Sequence, residues 1–419
     1  MNKKFVKLDY GKSVSVISLP DTLFTTLMVI IKSGPFFDPE NKPGLSHFIE
    51  HMIFRGSKLF PSNKQISNYL ENNGSESGAF TYYENNCYWV KSRKENLFKS
   101  ITVFSDQIQN SLFNDREINQ EKKIIIDELK ILRSNPESLI WEAWSENVWQ
   151  KTLCGRNYIG SVTSINSITK EDIHRFIKQY YTSDRILFIL SGNFDKKTTI
   201  KFLEKKFLKI KQNQKQICEK LKINRISPIR IIQYQSENIY VAYGFLTCNF
   251  LNEDCIVLEL ISYILGQGWG SILKQKISEK GLSYDIQTYT KNLTETGYFL
   301  IKFTTDKKDI NKIIKIINSQ IKIFKKGKIL EHDIQRGKNY FIGSLLYNNE
   351  TSYDLANWYG YQEIISPNKT ISVTQKIKLI EDISTKKIIE IASKYLTNDN
   401  WYISIVGDLL ESDIKVNFD

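Results

Sequence analysis

The sequence predicts an α+β protein made of two homologous α/β domains, and three observations lead there. The stretch ITKEDIHRFIKQYYTSDRILFILSG at 168–192 is echoed by ISTKKIIEIASKYLTNDNWYISIVG at 383–407. Ile173 and Ile388, Tyr180 and Tyr395, Thr182 and Thr397, Asp184 and Asp399, and Gly192 and Gly407 all keep one constant spacing, as a duplicated helix, turn and apolar strand would. Each half also opens with two β-rich runs and then a helix. Between the halves, KKFLKIKQNQKQICEKLKINRIS at 205–227 is polar and Lys-rich and reads as a linker. The expected domains are therefore 1–204 and 228–419.

In order, 13–19 and 24–31 read as strands joined by a turn at Pro20 and Asp21. A loop through Gly34 leads to Pro43, which suits a helix start, and Gly56 stops that helix. PSNKQISNYLENNG at 61–74 is a helix with a Pro-Ser entry and a Gly exit. GAFTYYENNCYWV at 78–90 is rich in aromatic and β-forming residues and is long for one strand. Helical stretches follow at 95–112, 115–132 and 136–149, and the second half restarts with strands at 229–234 and 239–246 and a helix at 254–265.

The chemistry concentrates in GLSHFIEHMIFRG, 44–56. On a helix, His47 and His51 sit about 40° apart around the axis and one turn apart along it, so both imidazoles can reach one ion. Glu50 projects towards the same side, close enough to take a proton from a water held there. This is the H-x-x-E-H arrangement, the inverse of H-E-x-x-H. Only 4 His occur in 419 residues, so the spacing is not a product of composition. The competing reading is an amphipathic helix with an apolar face of Leu45, Phe48, Ile49, Met52 and Ile53 and two incidental His. The helix at the equivalent place in the second half, 254–265, has no His, which leaves that half to wall, bind or pair.

Within DREINQEKKIIIDEL, Glu121 and Glu128 are one heptad apart, about 20° around the axis, and Glu117 shares their face. Such a stripe is commonly a solvated face. Zinc held by two His, however, needs a third protein ligand and one open position.

Composition bounds the rest. With 41% apolar residues the chain has ample core, and no run approaches the eighteen or so apolar residues of a membrane span. The start, MNKKFVKLDYGKS, lacks an apolar segment and a cleavage site, so a cytoplasmic location is expected. The 5 Cys are scattered, with no C-x-x-C, against a disulfide scaffold and in keeping with a reducing compartment. The net charge of +12 is spread along a Lys-, Ile- and Asn-rich chain without any nucleic-acid module, so no nucleic-acid partner is expected.

Together these features resemble the insulinase/pitrilysin family of zinc peptidases, in particular its short members akin to mitochondrial processing peptidase and bacterial processing proteases. The likeness spans nearly the whole chain and rests on GLSHFIEHMIFRGS, GAFTYYENNCY, EKKIIIDEL, YIGSVTSINSIT at 158–169 and LGQGWGSILKQKISEKGLSY at 265–284. It implies that each domain is a mixed, largely antiparallel sheet covered by helices. It also implies one zinc ion per chain on His47, His51 and Glu128, with Glu50 as general base and Glu121 as the carboxylate that orients the site. The strand carrying Ala79, Phe80 and Thr81 would accept a peptide substrate as an added strand inside a chamber. An ordinary blunted edge strand is the alternative for that segment.

Three departures from the family pattern stand out. Gly78 occupies the place of an Asn, and Asn86 that of a Thr. In the second half the family carries an Arg and a Tyr that bind substrate near the scissile carbonyl; Tyr284 is present, but the Arg position falls on Ile277 or Ser278. Lys274 and Lys276 are the nearest cations. The resemblance thus implies a zinc metalloendopeptidase acting as the catalytic subunit of a dimer, either a heterodimer with a homologous subunit or a homodimer, with the missing Arg supplied by a homologous partner. The alternative is a non-catalytic structural or assembly subunit of the same fold.

Overall fold

A computed structural model describes residues 3–7, 13–149, 155, 157–207, 210, 227–283, 285–367 and 369–416. The strands in chain order are β1 (Lys3–Lys7), β2 (Ser13–Ser18), β3 (Phe24–Ile31), β4 (Glu76–Thr81), β5 (Asn86–Arg93), β6 (Ile186–Gly192), β7 (Ile229–Ile232), β8 (Asn238–Thr247), β9 (Ile286–Asn292), β10 (Gly297–Asp306) and β11 (Trp401–Val406). The helices of the first half are α1 (Leu45–Ile53), α2 (Asn63–Asn72), α3 (Leu97–Asn110), α4 (Asp115–Ser134), α5 (Pro136–Trp149), α6 (Val162–Ser167), α7 (Lys170–Tyr180) and α8 (Lys196–Phe207). Those of the second are α9 (Asp254–Gly266), α10 (Ile310–Lys325), α11 (Glu331–Tyr347), α12 (Ser352–Ile365), α13 (Val373–Glu381) and α14 (Thr385–Tyr395). The fold is α+β.

Among the described residues two sheets form, with orders β1-β2-β6-β3-β5-β4 and β7-β11-β8-β10-β9. In the first, β2 runs parallel to β6 and the other pairs are antiparallel. In the second, β7 runs parallel to β11 and the other pairs are antiparallel. Removing β1 makes the two orders equivalent strand for strand, so the duplication extends to the sheet topology. The echoed segments also match in backbone detail. α7 is capped by Thr169 and α14 by Ser384, each side chain accepting a backbone N–H of the first turn. Gly192 and Gly407 end β6 and β11 at φ 137° and 155°, a region that favours glycine.

The stretch at 78–90, read as one long strand, is a hairpin. β4 turns at 82–85, where Tyr82 N–H bonds to Asn85 O at 2.8 Å, and β5 returns beside it. Asn85 and Glu84 break the β run, and the return leaves β4 at the sheet edge.

The compact units do not follow the expected boundaries either. One comprises Met1–Lys130, Arg156–Glu219 and Asn349–Ile371; the other comprises Ile131–Gly155, Lys220–Asn348 and Ser372–Asp419. Each half of the sequence thus lends one helix to the unit built mainly by the other. In the first unit α12 lies on β3 and β6: Leu355, Ala356 and Tyr359 are buried, and Ser352 Oγ meets Thr26 Oγ1 at 3.0 Å. A Cβ at Gly360 would come within 2.5 Å of Ile30 Cδ1, so a larger residue there would force that methyl to shift. In the second unit α5 lies on β8 and β11 with Trp144 and Trp149 fully buried, and Asn147 Nδ2 donates to Ile403 O at 2.9 Å. The physical reason is coverage: an apolar sheet face requires a helix. Most of the expected linker, 205–227, lies outside the described residues.

Candidate metal centre

The motif helix α1 is positioned by three contacts at its N-terminus. Gly44 caps it at φ 90°, and an added Cβ there would meet Ile159 O at 2.1 Å. Since glycine offers no side-chain acceptor, Asp38 caps α1 from a distance: its two carboxylate oxygens accept from the N–H groups of Gly44 and Ser46, each at 2.8 Å. Ser164 Oγ, beyond the YIG turn, donates to Pro43 O at 2.9 Å. Phe48, Ile49, Met52 and Ile53 then bury the apolar face and leave His47, Glu50 and His51 on the opposite side.

α4 brings the carboxylates. Ile118, Glu121, Ile125 and Leu129 form its buried stripe, so Glu121 is placed by its apolar neighbours and is only 1% exposed. His47, His51 and Glu128 each offer a ligand atom within 4.8 Å of the others. Glu128 lies 4.0 Å from His47 Nε2 and 3.7 Å from His51 Nε2. Glu117, on the same stripe in sequence, is not part of this cluster.

Around the cluster, hydrogen bonds fix each side chain. His51 Nδ1 bonds to Glu121 Oε1 at 2.8 Å, and Arg55 pairs with the same carboxylate. Because Glu121 accepts the Nδ1 proton, the neutral ring keeps its lone pair on Nε2, the atom that faces Glu128. Thr81 Oγ1 donates to Glu50 Oε2. Asn86 Nδ2 donates to Thr81 Oγ1 at 2.7 Å and to Ser46 O at 3.2 Å, while Ser33 Oγ donates to Asn86 Oδ1 at 2.8 Å.

The electrostatics follow from burial. Burial pushes His47 down to about 3, aided by the neighbouring His51, so it is a neutral imidazole at pH 7. Burial would also lower His51, but the bond to Glu121 and the charges of Glu50, Glu121 and Glu128 raise it. Glu50 is raised by burial against the opposing hydrogen bond from Thr81, and Glu128 is raised by burial. Burial acts to raise Glu121 as well, yet its bonds to His51 and Arg55 hold it below the usual range. Two imidazoles and a carboxylate, one buried imidazole bearing an Nδ1 with no hydrogen-bond partner among the described residues, form a donor set that suits zinc.

The two departures in the hairpin have local explanations. Gly78 faces Trp89 across the ladder, and a Cβ there would lie 2.7 Å from the indole ring, so a larger residue would displace it. Asn86 supplies the amide that holds Thr81 towards Glu50. Thr81, expected to serve the substrate, therefore spends its hydroxyl on Glu50, while Ala79 and Phe80 lie on the edge strand beside it. Tyr284 falls outside the described residues. Ile277 is buried within a π-helical turn (Lys274–Ser278) and Lys274 pairs with Asp285 at 3.1 Å, whereas Lys276 is exposed. Sequence reasoning missed Arg55, Asp38 and the Asn86 bridge. For Arg55 a signal existed, since it lies four residues after His51 on a face already assigned to chemistry.

Residues 13–161 match the family model described as Insulinase (Peptidase family M16), and residues 167–341 match that described as Peptidase M16 inactive domain. The chain is 27% identical over 391 residues to a protein of Rickettsia felis described as an "Uncharacterized zinc protease", covering 92% of this chain and 94% of the other. It is 24% identical over 398 residues to the mitochondrial-processing peptidase subunit beta of Dictyostelium discoideum, covering 91% and 84%. In fold it matches the crystal structure of a protease from Helicobacter pylori with a TM-score of 0.88 at 19% identity, covering 97% of this chain and 99% of that one.

Proposed function

Because this chain belongs to the insulinase family of peptidases (peptidase family M16), we propose that it is a zinc metalloendopeptidase in which His47, His51 and Glu128 hold the metal. One observation carries the reading: three ligand atoms from two separate helices converge within 4.8 Å, with Glu50 alongside. The names of relatives such as the Rickettsia felis zinc protease support the choice of metal.

Zinc, when bound, would polarise the peptide carbonyl and acidify water in the site. The chain's own residues do the rest. Glu50 takes a proton from the attacking water and returns it to the leaving amine, a role suited to a carboxylate whose affinity for protons burial has raised. Thr81 holds Glu50 in one rotamer, and Glu121 holds His51 in the tautomer that presents Nε2. β4 is an edge strand, so a peptide segment can add to it by main-chain hydrogen bonds near Ala79, Phe80 and Thr81, whatever its sequence. Unfolded segments are the substrates this mode accepts.

The zinc-bearing half is complete, whereas no Arg stands at Ile277 or Ser278. A homologous partner supplying that cation is part of this reading, and the relatives named as subunits support it. No described helix is long and apolar enough to cross a membrane.

The experiment is zinc analysis and cleavage of a mixed peptide library by the purified chain, with and without a co-expressed homologue. About one zinc per chain and cleavage abolished by a chelator are expected. A metal-free chain that cleaves nothing in either setting would favour a non-catalytic assembly subunit of the same fold. Full activity as an isolated monomer or as a self-dimer would count against the partner.

A further inference from the structure

The second compact unit contains a pair of thiols that the peptidase reading leaves unused. Cys248 follows the end of β8 and Cys255 is the second residue of α9, with the turn 249–254 between them. Both are free thiols, 9% and 8% exposed, and their Sγ atoms lie 3.3 Å apart. A disulfide needs about 2.03–2.05 Å, so bond formation asks only a small adjustment of two side chains. Cys255 Sγ also sits 3.0 Å from the Asn249 carbonyl oxygen.

Asp254, beside the pair, accepts from Lys394 Nζ at 2.7 Å and from Tyr395 Oη at 3.0 Å. The contact between the two sulfurs acts to lower Cys248 against burial and, together with burial, to raise Cys255, so the pair favours one shared thiolate. Either sulfur can make the first attack, and its neighbour then resolves.

We infer that Cys248 and Cys255 form a reversible dithiol/disulfide couple whose oxidant is a low-molecular-weight disulfide such as glutathione disulfide. The thiolate of one cysteine attacks one sulfur of that disulfide, forming a mixed disulfide and expelling one small thiolate. The other cysteine then loses its proton and attacks the protein sulfur of the mixed disulfide, forming the intrachain bond and expelling the second small thiolate. Two protein thiols are oxidised as one small disulfide is reduced, and the protons pass to the departing thiolates. The product ties the end of β8 to the start of α9 and closes the turn that carries the exposed Leu251.

The test uses the full chain equilibrated with glutathione disulfide, alkylated, digested and mapped by mass spectrometry. The expected result is a peptide pair joined through Cys248 and Cys255, about 2 Da lighter than the reduced pair and separated by dithiothreitol. Cys255→Ser and Cys248→Ser should between them trap a lasting glutathione adduct on whichever cysteine attacks first. Recovery of both cysteines as alkylated thiols from the oxidised wild-type chain would overturn the inference. So would a stable adduct on either cysteine beside a free partner. The wild-type map decides even if a variant fails to fold, and it does not depend on whether the chain is a peptidase.

Discussion

Replacing Glu121 by Gln tests whether the metal centre is built from its supports inward. The substitution keeps the shape of a side chain that is 1% exposed, and its Oε1 can still accept from His51 Nδ1, where the present distance is 2.8 Å. What disappears is the negative charge that makes the His51 bond charge-assisted and that balances Arg55. Losing a carboxylate partner behind a ligating His typically costs 10–100-fold in metal affinity, about 1.4–2.7 kcal/mol. Arg55 is itself largely covered, and losing its charged partner adds an expected stability cost of about 1–3 kcal/mol. Competition titration against a zinc chelator reads the first quantity, and urea unfolding of the metal-free chain reads the second. Affinity within threefold of wild type would refute the claim that the charge of Glu121 strengthens the hold of His51 on the metal. A complete loss of zinc would instead make Glu121 a ligand.

Further outcomes follow from the same geometry. Glu50→Gln should keep zinc and lower cleavage by about 10²–10⁴-fold, read by metal analysis and a peptide assay; Glu128→Ala should lose zinc instead. Thr81→Val removes the donor to Glu50 and leaves the Asn86 amide without that acceptor, so kcat should fall about 10–100-fold with KM little changed. Trp144→Ala, in a helix lent across the sequence, should destabilise the second unit by about 3–5 kcal/mol in a denaturant titration. Gly44→Ala should cost more than about 1 kcal/mol, because both its φ of 90° and the Ile159 carbonyl exclude a side chain.

Much of this was legible in the chain, for identifiable reasons. His47, Glu50 and His51 could be read because they lie within one helical turn of each other, where spacing is geometry. The duplication was legible because helix, turn and strand repeat with their apolar positions kept, and Gly192 and Gly407 indeed share a backbone conformation. Glu128 was different. Its stripe also contains Glu117 and Glu121, and periodicity alone could not separate ligand, support and bystander. The hairpin was blurred because the aromatic run continues through Tyr82 and Tyr83, hiding the turn at Asn85.

What the amino-acid order determined by itself is local: a metal-ready helix, a doubled α/β pattern, and an odd set of scattered cysteines. Spacing without the family resemblance left open which carboxylate meets the imidazoles and which strand becomes an edge, and only the tertiary structure decided which helix covers which sheet and that Cys248 meets Cys255. Those are contacts between residues far apart along the chain or across a turn. They are selected by burial of apolar faces over the whole unit, and no local spacing encodes that.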